Sequence, residues 1–231
     1  MRPIKFFAID IDGTLTLNGN GALNLDALAK LRYLVKLGYK VIFVTGRSSL
    51  EAYTLSVFGG TTQIAIGENG GVITTSPIEH ELLANKENCL KGFDLLSKSM
   101  KGVRQKPVFP RMTEIVLERE FDINEGNKIL IENNMDLTIV DSNYAFHINE
   151  VKINKGLGLA FLLKMLKIDV NEVVAIGDSE TDISMFKQSK FSVTFESSEE
   201  NVRESATHLV GGSNGEGLIN AIDLIMRGKI F

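Results

Sequence analysis

Ile4-Lys5-Phe6-Phe7-Ala8-Ile9-Asp10-Ile11-Asp12-Gly13 reads as a strand interrupted by an acidic turn. Its run of Ile and Phe lacks the polar alternation of a half-solvated strand, so both faces must be covered, as in a parallel sheet. Leu25, Leu28, Leu31, Leu34 and Val35 follow at helical spacing after an Asn24 cap, with Gly38 as the stop. Lys40 to Thr45 is a second apolar strand ending at Gly46, and Ser48 or Ser49 can cap a helix running to Phe58. Gln63 to Ile66 is a third strand, closed by Gly67-Glu68-Asn69-Gly70-Gly71. Strand, helix, strand, helix, strand predicts a parallel sheet with helices on its faces.

The middle of the chain changes character. Thr113 to Leu117, Leu137 to Asp141 and Tyr144 to Ile148 are strand-like, separated by helical patterns near Lys86 to Lys98 and Asn124 to Asn133, with Ser142-Asn143 as a hairpin turn. From Lys155 the strand and helix alternation returns: a helix to about Leu166, a strand Glu172 to Ile176, a short helix Asp182 to Gln188, a strand Phe191 to Thr194 and a last helix from Glu216. The expected organisation is therefore a core of residues 1–76 and 153–231 with an α+β insert at 77–152. That division accounts for a length of 231 residues, awkward for one domain of about 150.

With 25 Lys+Arg against 29 Asp+Glu, the net charge is -4, which gives no global attraction for nucleic acid or an anionic membrane. Any anion must be captured locally. Cys89 is the single cysteine, so intrachain disulfides and multi-cysteine metal sites are excluded and a cytoplasmic setting is expected. The first apolar run meets Asp10 before it reaches the length of a leader, and no other run approaches a membrane span.

In open parallel sheets ligands bind beyond the carboxyl ends of the strands. Two of those ends are acidic here, Ile9-Asp10-Ile11-Asp12-Gly13-Thr14 and Ile176-Gly177-Asp178-Ser179-Glu180-Thr181-Asp182. If the two strands are neighbours, carboxylates converge that suppress one another's ionisation unless a cation joins them, and hard oxygen ligands favour Mg²⁺. Thr45-Gly46-Arg47 offers a hydroxyl and backbone N–H groups to phosphate oxygens, and Lys155 offers a cation.

Asp10-Ile11-Asp12-Gly13-Thr14-Leu15, Thr45-Gly46-Arg47, Lys155-Gly156 and Gly177-Asp178-Ser179-Glu180-Thr181-Asp182, in that order, resemble the four motifs of the haloacid dehalogenase superfamily. The long interval between Thr45 and Lys155 is similar to members with a C2-type cap, and the compact cap resembles the archaeal-type phosphoglycolate phosphatases. The resemblance implies a Rossmann-like, doubly wound α/β core with an inserted smaller α+β cap domain. It also implies an aspartyl-phosphate mechanism with Asp10 as nucleophile and Asp12 as general acid and then base. Thr45, Gly46 and Lys155 would hold the phosphoryl group, and Mg²⁺ would be bound by Asp10, the Asp12 carbonyl, Asp178 and Asp182, the last directly or through water. Asp12 argues against carbon–halogen cleavage, which has no leaving alcohol to protonate. The implied substrate is a small phosphorylated metabolite, best 2-phosphoglycolate, handled by a monomer or homodimer without nucleic acid or membrane partners. The alternatives are a sugar-phosphate phosphatase, a phosphomutase, or a ligand-binding module without catalysis.

Several residues remain open. Arg47 is read either as a substrate ligand or as a partner of Glu51 one helical turn on. Glu68 and Asn69 either shape their turn or touch substrate. His80, His147 and His208 show no ligand-like spacing and are read as structural, and Glu180 as surface. The basic run Lys86 to Lys106 is a solvated face or an attractor of anions, and Arg104, Arg111 and Arg119 are candidate readers of the leaving group.

Overall fold

The computed structural model describes residues 3–17, 21–142 and 144–230. The core begins β1 (Phe6–Ile9), α1 (Leu25–Lys36), β2 (Lys40–Val44), α2 (Ser49–Gly59), β3 (Ala65–Gly67), β4 (Val72–Ser76) and β5 (Glu79–Leu82). The insert contributes α3 (Lys86–Ser99), β6 (Ile115–Leu117), α4 (Ile123–Glu132), β7 (Leu137–Asp141) and β8 (Phe146–Glu150). The chain then returns through α5 (Lys155–Leu166), β9 (Val173–Ile176), α6 (Ile183–Phe186), β10 (Phe191–Phe195), α7 (Glu200–Ser205), β11 (His208–Val210) and α8 (Asn214–Met226).

The expected α/β architecture is present. Eight strands form one sheet in the order β11-β10-β9-β1-β2-β3-β4-β5, parallel from β11 through β3. Successive residues of β1 face opposite layers. Phe7 and Ile9 pack with Leu31, Leu34, Leu218 and Ile222 of α1 and α8, while Phe6 and Ala8 pack with Leu159, Leu162 and Met185 of α5 and α6. Burial on both faces is why β1 shows no polar alternation. The local stop and start signals hold as well: Asn24 Oδ1 accepts from Ala27 N at 3.0 Å, and Ser48 with Glu51 closes a capping box on α2.

The hairpin of β4 and β5 has no counterpart among the elements expected from the sequence. It extends the large sheet with antiparallel pairs, so position 76, the expected end of the first core segment, falls inside a hairpin of that sheet. Glu79-His80-Glu81-Leu82 is an edge strand with mostly exposed side chains, and no hydrophobic face betrays it. The insert builds its own sheet, β6-β8-β7, with α3 and α4 on one face around Cys89, Leu96, Leu130 and Ile148. Of the expected Ser142-Asn143 turn, Asn143 lies outside the described residues. Ser142 N donates to Ala145 O at 3.1 Å and Ala145 N to Ser142 Oγ at 3.2 Å, closing the link between β7 and β8. No helix among the described residues is long and apolar enough to cross a membrane.

Candidate active site

The site follows from the order of strands. β1 has β2 on one side and β9 on the other, so the chain winds away from β1 in both directions and leaves a crevice at its carboxyl end. Ile9 is in register with Ile176, and Asp10 N donates to Ile176 O at 3.0 Å. The two acidic turns therefore emerge side by side. Asp10, Asp178 and Asp182 bring one carboxylate oxygen each within 4.8 Å of one another. Lys155, first residue of α5, reaches under them: its Nζ donates to Asp10 Oδ1 at 2.7 Å and to Asp182 Oδ1 at 2.6 Å, with all three side chains at most 4% exposed.

Two glycines make the close approach possible. Gly13 has φ +84, and a Cβ there would lie 2.2 Å from Asp178 Oδ2; a Cβ on Gly177 would lie 2.4 Å from the Asp182 carboxyl carbon. Thr14 Oγ1 donates to Asp178 Oδ1 at 2.7 Å. Asp182 Oδ2 accepts from Asp178 N, Ser179 N and Ser179 Oγ at 3.0, 3.0 and 2.9 Å, which ties the turn after β9 to this carboxylate.

The electrostatics are unbalanced. Burial and then the Asp182 charge push the Asp10 carboxyl well above its ordinary range, against the pull of Lys155. Burial followed by Asp182 also pushes Asp178 up to about 6, although Thr14 and Lys155 work the other way. Burial disfavours the Lys155 ammonium, yet Asp10 and Asp182 outweigh it and hold that charge. Two buried carboxylates and a half-buried third against one lysine leave excess negative charge in an oxygen-only donor set. That chemistry suits a hard divalent cation.

Around the cluster stand the remaining expected residues. Thr45, 1% exposed, accepts from Arg47 N at 3.1 Å through its hydroxyl, while Ser48, not Thr45, caps α2. The Gly46 N–H donates to none of the described residues. Asp12 lies outside the buried cluster, with its side chain 40% exposed. Arg47 grips it with two hydrogen bonds of 2.7 Å, from Nε and Nη2, and its Nη1 reaches Glu51 at 3.3 Å. The open question over Arg47 thus ends with both acids as its partners. The hydrogen bond to Asp12 is the main reason its guanidinium charge is held so firmly.

Glu68 and Asn69 do more than shape a turn. Both adopt φ +54, and Glu68 reaches across to the insert, accepting from Met112 N, Thr113 N and Thr113 Oγ1 at 2.8 to 3.0 Å. Asn69 Nδ2 donates to Glu114, which also faces His147 at 3.1 Å and Arg111 at 2.6 Å. Burial raises the Glu68 pKa, with Glu114 adding to it. Burial opposes the Glu114 charge too, but His147 and Arg111 overcome it and lower that pKa. Glu114 carries no mark in the sequence analysis, although its partners Asn69, His147 and Arg111 are named there. An acid in Met112-Thr113-Glu114-Ile115, entering a buried strand, was the available signal.

Of the other candidates, His80 faces Thr74 and His208 faces Thr207, both within 3.0 Å. Arg104 pairs with Glu120, Lys106 with Glu118 and Arg119 with Asp141. Cys89 is buried, donates to Thr113 O, and has its thiol pushed up to about 12 by burial, so it is no nucleophile. A cleft of about 1880 Å³ separates the core strand ends from the open face of the insert sheet, lined there by Val140, His147 and Asn149.

Comparison with known proteins adds to this geometry. The haloacid dehalogenase-like hydrolase family matches residues 7–106 and 108–222. A phosphoglycolate phosphatase of Nitrosopumilus maritimus is 50% identical over 219 residues, covering 95% of each chain. One from Methanosarcina mazei is 36% identical over 222 residues, covering 96% of each. A Thermoplasma acidophilum structure superposes with a TM-score of 0.86 over the full length of both chains at 22% identity. A haloacid dehalogenase-like hydrolase from Bacteroides thetaiotaomicron gives 0.79 at 18% identity, covering 96% of this chain and 99% of that one.

Proposed function

The chain belongs to the haloacid dehalogenase-like hydrolases and is a phosphatase, and from that premise we propose that it hydrolyses 2-phosphoglycolate to glycolate and phosphate through an aspartyl-phosphate on Asp10. The substrate is supported by relatives such as the Nitrosopumilus maritimus and Methanosarcina mazei phosphoglycolate phosphatases. The chemistry rests on one observation above all, the meeting of Asp10, Asp178, Asp182 and Lys155 beyond neighbouring strands.

In this reading an Asp10 carboxylate oxygen attacks phosphorus, the bond to the glycolate oxygen breaks, and Asp12 gives that oxygen a proton. Water then attacks the phosphoryl group, Asp12 takes the proton of that water, and the bond to Asp10 breaks. The split replaces one hard displacement by two easier ones. Thr45 and the open Gly46 N–H hold the phosphoryl oxygens, and Lys155 pulls Asp10 toward its ionised form against burial and the Asp182 charge. Arg47 sets where the Asp12 carboxyl sits. Mg²⁺ would be held by Asp10, Asp178 and the Asp12 carbonyl and would supply positive charge for the clustered carboxylates and the phosphoryl oxygens. Both Asp182 oxygens already accept protein donors, which supports contact with the ion through water. Residues 77–152, or the part of them beyond β5, act as the cap over this chemistry.

The test is a kcat/KM comparison of 2-phosphoglycolate with hexose phosphates and trehalose phosphate, with Mg²⁺ and with excess chelator. A preference for phosphoglycolate of about 100-fold or more, abolished by chelator, is expected. Preferred turnover of a sugar phosphate, or transfer of phosphate back to a sugar, would sink the substrate assignment.

A further inference from the structure

The cleft is lined by three long cations, Arg47, Arg111 and Lys155. Two are committed. Lys155 lies between Asp10 and Asp182, and all three guanidinium nitrogens of Arg47 donate to Asp12 or Glu51. Arg111 is different. Its Nη1 donates to Gly46 O at 2.7 Å and to Glu114 Oε1 at 2.6 Å, while Nε and Nη2 have no partner among the described residues. Its side chain is only 7% exposed: Nε is closed off from water, and Nη2 is the unpartnered donor that a ligand can reach. An unpartnered charged donor at that depth is costly unless something occupies it.

Its setting is rigid. Lys86 Nζ donates to Arg111 O at 2.7 Å, and the next two residues give their N–H groups to Glu68. Pro107 and Pro110 restrict the approach. Through Gly46 O the guanidinium abuts the residue after Thr45, at the place proposed for the phosphoryl group. In a cleft of about 1880 Å³ shape alone selects little among small esters, so a charged group must do the reading.

We propose that Arg111 determines substrate selection by binding the carboxylate of a short carboxylated phosphomonoester, holding the leaving end while the strand ends hold the phosphoryl end. This rests on the phosphatase reading above and names its selecting residue. Only one methylene separates ester oxygen from carboxylate in 2-phosphoglycolate, which matches an arginine that touches Gly46. Arg104 and Arg119, the other candidates, are engaged with Glu120 and Asp141 and do not line the cleft.

The experiment measures kcat/KM for 2-phosphoglycolate, 3-phosphoglycerate and ethyl phosphate in wild type, Arg111→Gln, Arg111→Lys and Glu114→Gln. Arg111→Gln is expected to lower the ratio of carboxylated to carboxyl-free turnover by about 100-fold, chiefly through KM. Added guanidinium should restore part of it. Arg111→Lys should recover less than half of the lost ratio on a logarithmic scale, because a point charge lacks the fork. Glu114→Gln frees the same arginine from its carboxylate and should keep the selection ratio. Equal losses on all three esters in Arg111→Gln, or an unchanged ratio, would overturn the proposal. Wild type that prefers 3-phosphoglycerate would instead displace phosphoglycolate as substrate and leave Arg111 to be judged by the same ratio. Wild type with no preference for either carboxylated ester would overturn it outright.

Discussion

Two buried charge clusters lie within the same molecule and behave in opposite ways. At the strand ends, Asp10, Asp178 and Asp182 share one lysine, and burial with mutual repulsion raises the pKa of Asp10 and Asp178. At the junction of core and insert, Glu114 sits among Arg111, His147 and Asn69, and its pKa is lowered. Glu68 beside it is capped by backbone N–H groups. The junction surrounds both carboxylates with donors, enough to hold the Glu114 charge although burial still raises Glu68, and so ties the insert to the core. The strand ends hold theirs in deficit, which costs stability and is where the proposed reading puts a cation and a phosphoryl group.

The contrast can be broken most severely at Asp10. Asp10→Asn is expected to lower kcat by about 10⁴-fold or more while leaving thermal unfolding unchanged or shifted upward, since one repelling charge is gone. Residual activity within tenfold of wild type would remove Asp10 as nucleophile. At the junction the order reverses: Glu114→Ala should cost about 3–5 kcal/mol in urea unfolding, because it strands Arg111 in a buried site. A cost below about 1 kcal/mol would show that the network does not carry the docking.

The pH dependences should differ in sign, each with a slope of at most about 1.4 kcal/mol per pH unit. Asp178, at about 6 in the folded chain against 3.8 ordinarily, contributes stability that is complete below the lower value and lost as pH rises through the upper. Glu114, lowered from 4.5, contributes stability that is present above that value and lost as pH falls through its folded pKa. In chelator, Asp178→Asn should flatten the stability profile between about pH 4 and 6, and Glu114→Gln should flatten it below about 4.5. Saturating Mg²⁺ should remove the first slope and leave the second; equal flattening by either variant would erase the distinction. The smallest effect is expected outside both clusters, where Arg104→Ala breaks an exposed pair with Glu120 and should change stability by less than about 0.5 kcal/mol.

Much of the core was legible because its signals are local. Buried strands such as β1 announce themselves by apolar runs, α1 and α2 by their caps, and the acidic turns by their place directly after those strands. β5 was not legible, since an edge strand exposed to water needs no hydrophobic pattern. Glu68 showed nothing of its reach, because its partners Met112 and Thr113 lie more than forty residues away and meet it mainly through backbone N–H groups. Arg104, Arg111 and Arg119 were equal candidates in sequence, and only their partners in space separate them.

Read alone, the amino-acid sequence shows the alternation of elements, the change of pattern in the middle of the chain, and the residue types at the strand ends. Those depend on short-range periodicity, capping and turn chemistry. Tertiary structure alone decided that β9 lies beside β1, so that Asp10 and Asp178 meet, that Asp12 turns to Arg47, and that Arg111 enters the cleft with unused donors. Each of these is set by strand order and by packing between distant segments, where the free energy belongs to the assembled fold and not to any one stretch of chain.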